Sequence, residues 1–187
     1  FSGSNALYDA YKCFIYKKFT SNSSWTNNNW SSLCVFIPLT KVELQTAVNS
    51  WTSDSTIAVS SYGGINTWDV TLITDMDSLF YDKFIFNDDI GGWDVSNVTS
   101  MNDMFKDASS FNQNISGWDV ANVTTMNNLF NNATSFNQEI SDWDVANVTT
   151  MNSMFNSASS FNPDSLKWDV TSVKNMSYMF YKASNFN

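Results

Sequence analysis

Tryptophan returns every 25 residues through most of this chain, at Trp68, Trp93, Trp118, Trp143 and Trp168. A whole motif moves with it. Met76, Met101, Met126, Met151 and Met176 keep the same step, as do Phe80, Phe105, Phe130, Phe155 and Phe180. So do the Phe-Asn pairs that end in Asn87, Asn112, Asn137, Asn162 and Asn187. A fixed period of this size belongs to stacked supersecondary units, each touching only its neighbours. The step therefore constrains architecture strongly and chemistry weakly.

Within a unit, the apolar positions after Met126 are Leu129, Phe130 and Ala133, the i, i+3, i+4, i+7 face of a short helix. Thr124 or Thr125 stands where an N-cap belongs. The preceding stretch, with Ile115, Trp118, Val120 and Val123, is β-branched and aromatic and reads as a short extended segment. The expectation is an α/β repeat solenoid, leucine-rich-repeat-like, with one short strand and one short helix per turn. Parallel strands would stack ~4.8 Å apart. The columns Trp93, Trp118, Trp143, Met101, Met126, Met151, Phe105, Phe130 and Phe155 are expected in the core.

The polar columns bear on function. An Asn at every turn can form an amide ladder, Asn87 to Asn112 to Asn137 to Asn162, or line a ligand stripe; stacking alone explains an invariant step. Asp94, Asp119 and Asp144 follow the tryptophans, and stacked carboxylates repel. Either each accepts N–H bonds of its own turn, or a Ca²⁺ ion sits between them. The first needs no extra species.

The array is irregular at its rims. In the first unit Lys83 stands in the Ala column and Phe84-Ile85-Phe86 is unusually apolar. In the last, Pro163 replaces Gln, Ser165 takes the Ile column and Leu166 lies beside it, so a distorted turn is expected.

Residues 1–57 do not repeat. Asn5 can cap a helix with Leu7, Ala10, Tyr11, Phe14 and Ile15 on one face and Lys17 and Lys18 in its last turn. Ser21 to Ser32 reads as a loop held by Trp25 and Trp30. Thr40-Lys-Val-Glu43 is a capping box, with Leu39 and Leu44 as its staple, and it starts a helix whose inner face is Leu44, Ala47, Val48 and Trp51. Helices here would cover the open end of the array at Ile65 to Trp68. The domains are thus 1–39, a helical spacer; 40–64, a capping helix and lead-in; and 65–187, a five-turn array. Phe1-Ser-Gly-Ser-Asn-Ala-Leu7 lines up with Phe180-Tyr-Lys-Ala-Ser-Asn-Phe186. The expectation from that match is a slice of a longer polypeptide in which arrays and spacers alternate.

Composition excludes several classes. The net charge is −9, with nine lysines and no arginine, which suits a solvated acidic surface and not a nucleic-acid partner. Histidine is absent, so the chain carries no Ser-His-Asp triad or Cys-His dyad. No apolar run is long enough to span a membrane. Adjacent Asp88 and Asp89 offer the two carboxylates that a glycosidase needs, but they read as a solvated turn. No catalytic residue and no cofactor is expected. Cys13 and Cys34 can pair in an oxidising compartment or remain free thiols. Sequons occur at Asn22, Asn29, Asn114, Asn132 and Asn175, and at Asn97, Asn122 and Asn147 within the repeat column. The first five are glycosylation candidates, Asn22 and Asn29 foremost; the column is explained by a turn role.

The run Trp93-Asp-Val-Ser-Asn-Val-Thr-Ser-Met101-Asn-Asp-Met-Phe105-Lys-Asp-Ala108-Ser-Ser-Phe111-Asn-Gln resembles the BspA-like surface-protein repeat of about 25 residues. The likeness covers roughly 57–187 and five units. Leu44-Gln-Thr-Ala-Val-Asn-Ser-Trp51 and Tyr62-Gly-Gly-Ile65-Asn-Thr-Trp68 look like the lead-in of its algal and protist members. The resemblance implies a leucine-rich-repeat-like array at the cell surface, used in adhesion, matrix or filament structure, with no catalytic residues to carry over. The chain departs from the family pattern at Lys83 and at Pro163 to Leu166, where less regular turns are expected.

The functional expectation is an extracellular structural or adhesive repeat protein. Its partners would be other copies of itself or further repeats of the same chain. The alternative is a surface binding module for a protein or glycan, with Trp25, Trp30, Tyr178 and Tyr181 as exposed aromatics to inspect.

Overall fold

The computed structural model describes residues 35–187. Two helices come first. Helix α1 spans Lys41–Ser53. Its capping box is formed: the Thr40 side chain accepts the Glu43 N–H, and the Glu43 carboxylate accepts the Thr40 N–H. Leu44, Ala47 and Val48 are fully buried against the array. Asp54 ends α1 and starts α2, Ser55–Tyr62, by accepting the N–H groups of Thr56 and Ile57. Gly63, at φ 72° and ψ −173°, takes a positive-φ extended conformation open mainly to glycine and closes α2, and its N–H donates to the Val59 carbonyl at 3.0 Å. No periodic signal marked α2: of its residues only Ala58 is buried, while Ile57 and Val59 are exposed.

Five 25-residue units follow, stacked in register. The expected strand and helix in each unit do not form, and the leucine-rich-repeat-like α/β solenoid is not the fold. Among the described residues both α-helices precede the array, and strand pairing shrinks to single parallel bridges that join Asp75, Ser100, Thr125, Thr150 and Asn175 in turn.

The reason lies in where the backbone directs its N–H groups. From Met101 to Asp107 alternate residues donate to the next unit: Met101 to Thr125, Asp103 to Asn127, Phe105 to Leu129, Asp107 to Asn131, at 2.8–3.1 Å. Of the residues between them, Met104 and Lys106 donate locally, to Met101 and Asp103, as does Ala108 to Phe105, while Asn102 donates to the Asp77 carboxylate one unit back. An α-helix would consume all these donors internally and leave the neighbouring carbonyls unpaired. A helix this short is marginal in any case. The chain reverses through left-handed residues four apart: Ser78 and Asp82, Asp103 and Asp107, Asn128 and Asn132, Ser153 and Ser157, Tyr178 and Lys182, with φ of 54–63°. Side chains of Asn, Asp and Ser tolerate or locally bond that conformation. The helical spacing was real as a burial pattern, since Met101, Met104, Phe105 and Ala108 are all at 0% exposure. Successive turns put the same four positions inside.

The expected strand fails for a related reason. Turns interrupt it every few residues: Asn114 accepts the Ser116 N–H, Trp118 donates to Ile115, Asp119 accepts the Ala121 N–H, and Val123 donates to Val120. Asx side chains hold these turns against an extended backbone.

The core is a set of ring columns. Phe80, Phe105, Phe130, Phe155 and Phe180 stack with centroids 5.3–5.6 Å apart. Phe86, Phe111, Phe136, Phe161 and Phe186 form a second stack at 5.9–6.0 Å. Within a unit the two columns touch, as Phe130 does Phe136 at 3.9 Å. Offset stacks of this kind add roughly 0.5–1.5 kcal/mol per pair beyond burial.

At the first unit α1 covers the stack. Gln45 donates its amide to the Leu79 carbonyl at 3.0 Å, Lys41 pairs with Asp75 at 2.7 Å, and Trp51 lies edge-on to Trp68. Phe36 packs edge-on against both Tyr62 and Trp68, and its carbonyl accepts the Asp69 N–H. The rim positions behave differently from one another. At Lys83 the backbone keeps the array's pattern, donating to Phe80 and accepting from Phe86. At Pro163 to Leu166 the turn found in units two to four at 91–92, 116–117 and 141–142 is missing.

Candidate functional site

The polar surface of the array is a set of ladders running from unit to unit. Asn87 accepts the Asn112 N–H through its side-chain oxygen at 2.8 Å, and Asn112, Asn137 and Asn162 do the same for Asn137, Asn162 and Asn187. Each amide thus satisfies a main-chain donor that a turn would otherwise leave open.

Further columns act as ladders, a role not read for them in the sequence. The asparagines after methionine bond upward: Asn102 Oδ1 accepts the Thr125 hydroxyl and the Asn127 N–H, and Asn127 Oδ1 accepts the Thr150 hydroxyl and the Asn152 N–H. Thr99, Thr124 and Thr149 each donate both hydroxyl and N–H to the threonine carbonyl one unit earlier, at 2.8–3.1 Å. The tryptophans do more than fill space. Trp93, Trp118, Trp143 and Trp168 donate indole Nε1 to the carbonyls of Ile65, Ile90, Ile115 and Ile140, 28 positions back. The sequence signal was present: an Asn column after Met and a Thr column after Val. The offset of 28 could not be read from a period of 25.

The Asp column is local. Asp94, Asp119 and Asp144 each accept the N–H two residues on, from Ser96, Ala121 and Ala146. Hydrogen bonds from the Ser96 hydroxyl and N–H hold the Asp94 carboxyl below the ordinary carboxylate range, and Thr171 does the same for Asp169. Among the described residues no three His, Cys, Asp or Glu side chains converge as a metal-ion set. Asp88 and Asp89 have separate partners: Asp88 accepts the Trp51 indole N–H at 2.9 Å, and Asp89 caps the Gly91 turn.

The sequons divide by geometry. Asn97, Asn122 and Asn147 donate their amides to the carbonyls of Thr71, Ser96 and Ala121, so these nitrogens belong to the stack. Asn132 donates to the Asp107 carboxylate. Asn114 and Asn175 use only their side-chain oxygens, each to close its own turn, and both are exposed. Asn22, Asn29, Cys13, Cys34, Trp25, Trp30 and the expected helix from Asn5 lie outside the described residues. Tyr178 and Tyr181 are exposed and meet edge-to-face at 5.9 Å.

A concave feature lies apart from the ladders. A groove of about 700 Å³ runs between the end of α1 and the rim of the first unit, with Trp51, Asp54, Asp82, Phe84, Ile85 and Asp88 on its walls.

A stack of 25-residue turns joined by side-chain ladders defines the class: a repeat protein whose units template one another. The chain matches the family described as "Mycoplasma protein of unknown function, DUF285" over residues 43–145 and again over 114–187. It belongs to that family. No curated protein and no solved structure matches the chain. Among the described residues no helix is long and apolar enough to cross a membrane.

Proposed function

We propose that this repeat protein is a non-catalytic structural or adhesive element of a cell surface, of the BspA-like kind. The observation that carries the reading is the use made of its polar side chains. Asn, Thr and Trp donors and acceptors are committed to the neighbouring unit, turn after turn, in the Asn87 to Asn162, Asn102 to Asn127, Thr99 to Thr149 and Trp93 to Trp168 series. A catalytic surface would hold polar groups free and convergent on a reacting atom. These groups instead tie each unit to the next. The acidic, arginine-free composition supports a solvated setting outside the cell. Partners under this reading are further units of the same repeat or other copies of the chain, with no nucleic acid among them.

Immunogold labelling of intact, unpermeabilised source cells tests the assignment. Antibody raised against residues 65–187 is expected to decorate the outer surface or material attached to it. Labelling that appears only after permeabilisation overturns it.

A further inference from the structure

Four units obey one rule at the turn that follows the Phe105 column, and the first breaks it. The later units carry Ala108-Ser109-Ser110, Ala133-Thr134-Ser135, Ala158-Ser159-Ser160 and Ala183-Ser184-Asn185 there. The first carries Lys83-Phe84-Ile85. Its backbone is nonetheless the same: Lys83 donates to Phe80, Phe86 donates to Lys83, and the Phe84 carbonyl accepts the Ser110 N–H at 3.0 Å. The fold gains nothing from the two apolar side chains, since Phe84 is 56% and Ile85 85% exposed. An apolar pair placed on the surface against the repeat's own pattern marks a contact surface.

The surroundings say what kind. The two side chains border the groove beside Trp51, whose indole is fixed by its bond to Asp88. The carboxylates of Asp54, Asp82 and Asp88 outnumber the single ammonium of Lys83, so the groove is net negative in a chain already at −9. The groove's size falls in the usual range for bound ligands of about 300–1,000 Å³. An aliphatic side chain standing proud next to an aromatic one favours apolar side chains, whereas a sugar's hydroxyls would lose solvation against it. Negative charge at the rim steers and holds positive charge.

We propose that this groove docks a peptide segment rich in lysine or arginine and interleaved with apolar residues, Phe84 and Ile85 making the apolar contact and Asp82 and Asp88 facing the cations. The proposal does not depend on where the protein resides, and its test is separate from that of the surface assignment.

The probe is a fluorescently labelled peptide that alternates lysine with phenylalanine and leucine, titrated into the intact 187-residue protein and followed by anisotropy. Saturable binding that weakens as salt rises is expected. The double variant Phe84→Ser, Ile85→Ser restores what the second unit carries and should weaken binding by at least about tenfold while leaving the melting curve in place. Ile85→Lys, at a side chain that is mostly solvent already, should weaken it as well. Asp82→Asn, the residue type found at Asn132, should lower both the affinity and its salt dependence. Equal binding by wild type and both Ile85 variants overturns the proposal. So does salt-independent binding, failure of the peptide to bind, or selective binding of a neutral oligosaccharide in its place.

Discussion

The left-handed residues hold each unit in its shape, and their side chains show how the strain is offset. Eight of the ten are Asn, Asp or Ser, at Ser78, Asp82, Asp103, Asp107, Asn128, Asn132, Ser153 and Ser157. An ordinary L-residue loses roughly 1–2 kcal/mol in this conformation. Glycine loses none of that, and asparagine recovers part by bonding locally. Asn132 tolerates φ 60° and bonds not locally but to the previous unit, donating to Asp107 at 2.7 Å. Asn132→Ala should therefore destabilise by about 1–2 kcal/mol, and Asn132→Gly by clearly less. Urea unfolding of the three proteins checks the order; alanine matching glycine would show that the backbone conformation is not what matters. These positions were invisible in sequence because no single residue type fills the column. The core columns were legible for the opposite reason: only a large ring fills the space that Phe130 occupies between Phe105 and Phe155, so the letter repeats.

At the scale of elements, what could be read depended on whether the signal was local. Helix α1 announces itself because Thr40 and Glu43 satisfy each other's backbone donors within four residues of chain. Helix α2 has a sound cap in Asp54 but little apolar face, so periodicity passes over it. The misread units are more instructive. A burial pattern of i, i+3, i+4, i+7 states which positions face inward and not which hydrogen bonds put them there. In this array the donors of Met101, Asp103, Phe105 and Asp107 look outward to the next unit, and that choice depends on a partner 24 residues away. The proposed docking groove was half legible: Lys83 and Phe84-Ile85 stood out as departures, but Trp51 and Asp88 beside them come from a contact across 37 positions. The cap of α1 has a measurable share in holding the end of the array. Thr40→Ala should cost about 1 kcal/mol. If α1 and the array unfold as one cooperative body, that loss appears as a single lowered transition, seen equally by far-ultraviolet circular dichroism and by tryptophan fluorescence. A cost below a few tenths, or a dichroism change that leaves the fluorescence midpoint fixed, would mean that α1 melts independently of the stack.

Over the whole molecule the ladders set a stricter rule than the hydrophobic columns do. Ring contacts are non-directional and can absorb small offsets, although the Phe columns here keep to 5.3–5.6 and 5.9–6.0 Å. A ladder cannot, because each amide must meet one particular N–H or carbonyl, as Asn112 meets Asn137 and Asn122 meets the Ser96 carbonyl. Units that contact only their neighbours through identical ladders can be removed whole. Deleting residues 112–136 brings Asn137 into the place of Asn112, directly after Phe111, and sets the Asn137 N–H against Asn87 in the register now held by Asn112. Every column then continues, and the shortened protein should still unfold cooperatively, with a smaller denaturant dependence in proportion to the surface lost. Deleting 112–135 leaves one residue too many between the columns. Phe136 then falls in an Asn position, and each following Trp, Met and Phe meets the wrong neighbour. That variant should lose its cooperative transition, although it keeps one more residue of the array than the first. Tryptophan fluorescence in urea compares the two directly. If both deletions fold alike, the columns are adjustable packing and the ladders do not fix register. If only the 25-residue deletion folds, unit length is set jointly by the ring columns and by the side-chain hydrogen bonds that run between turns.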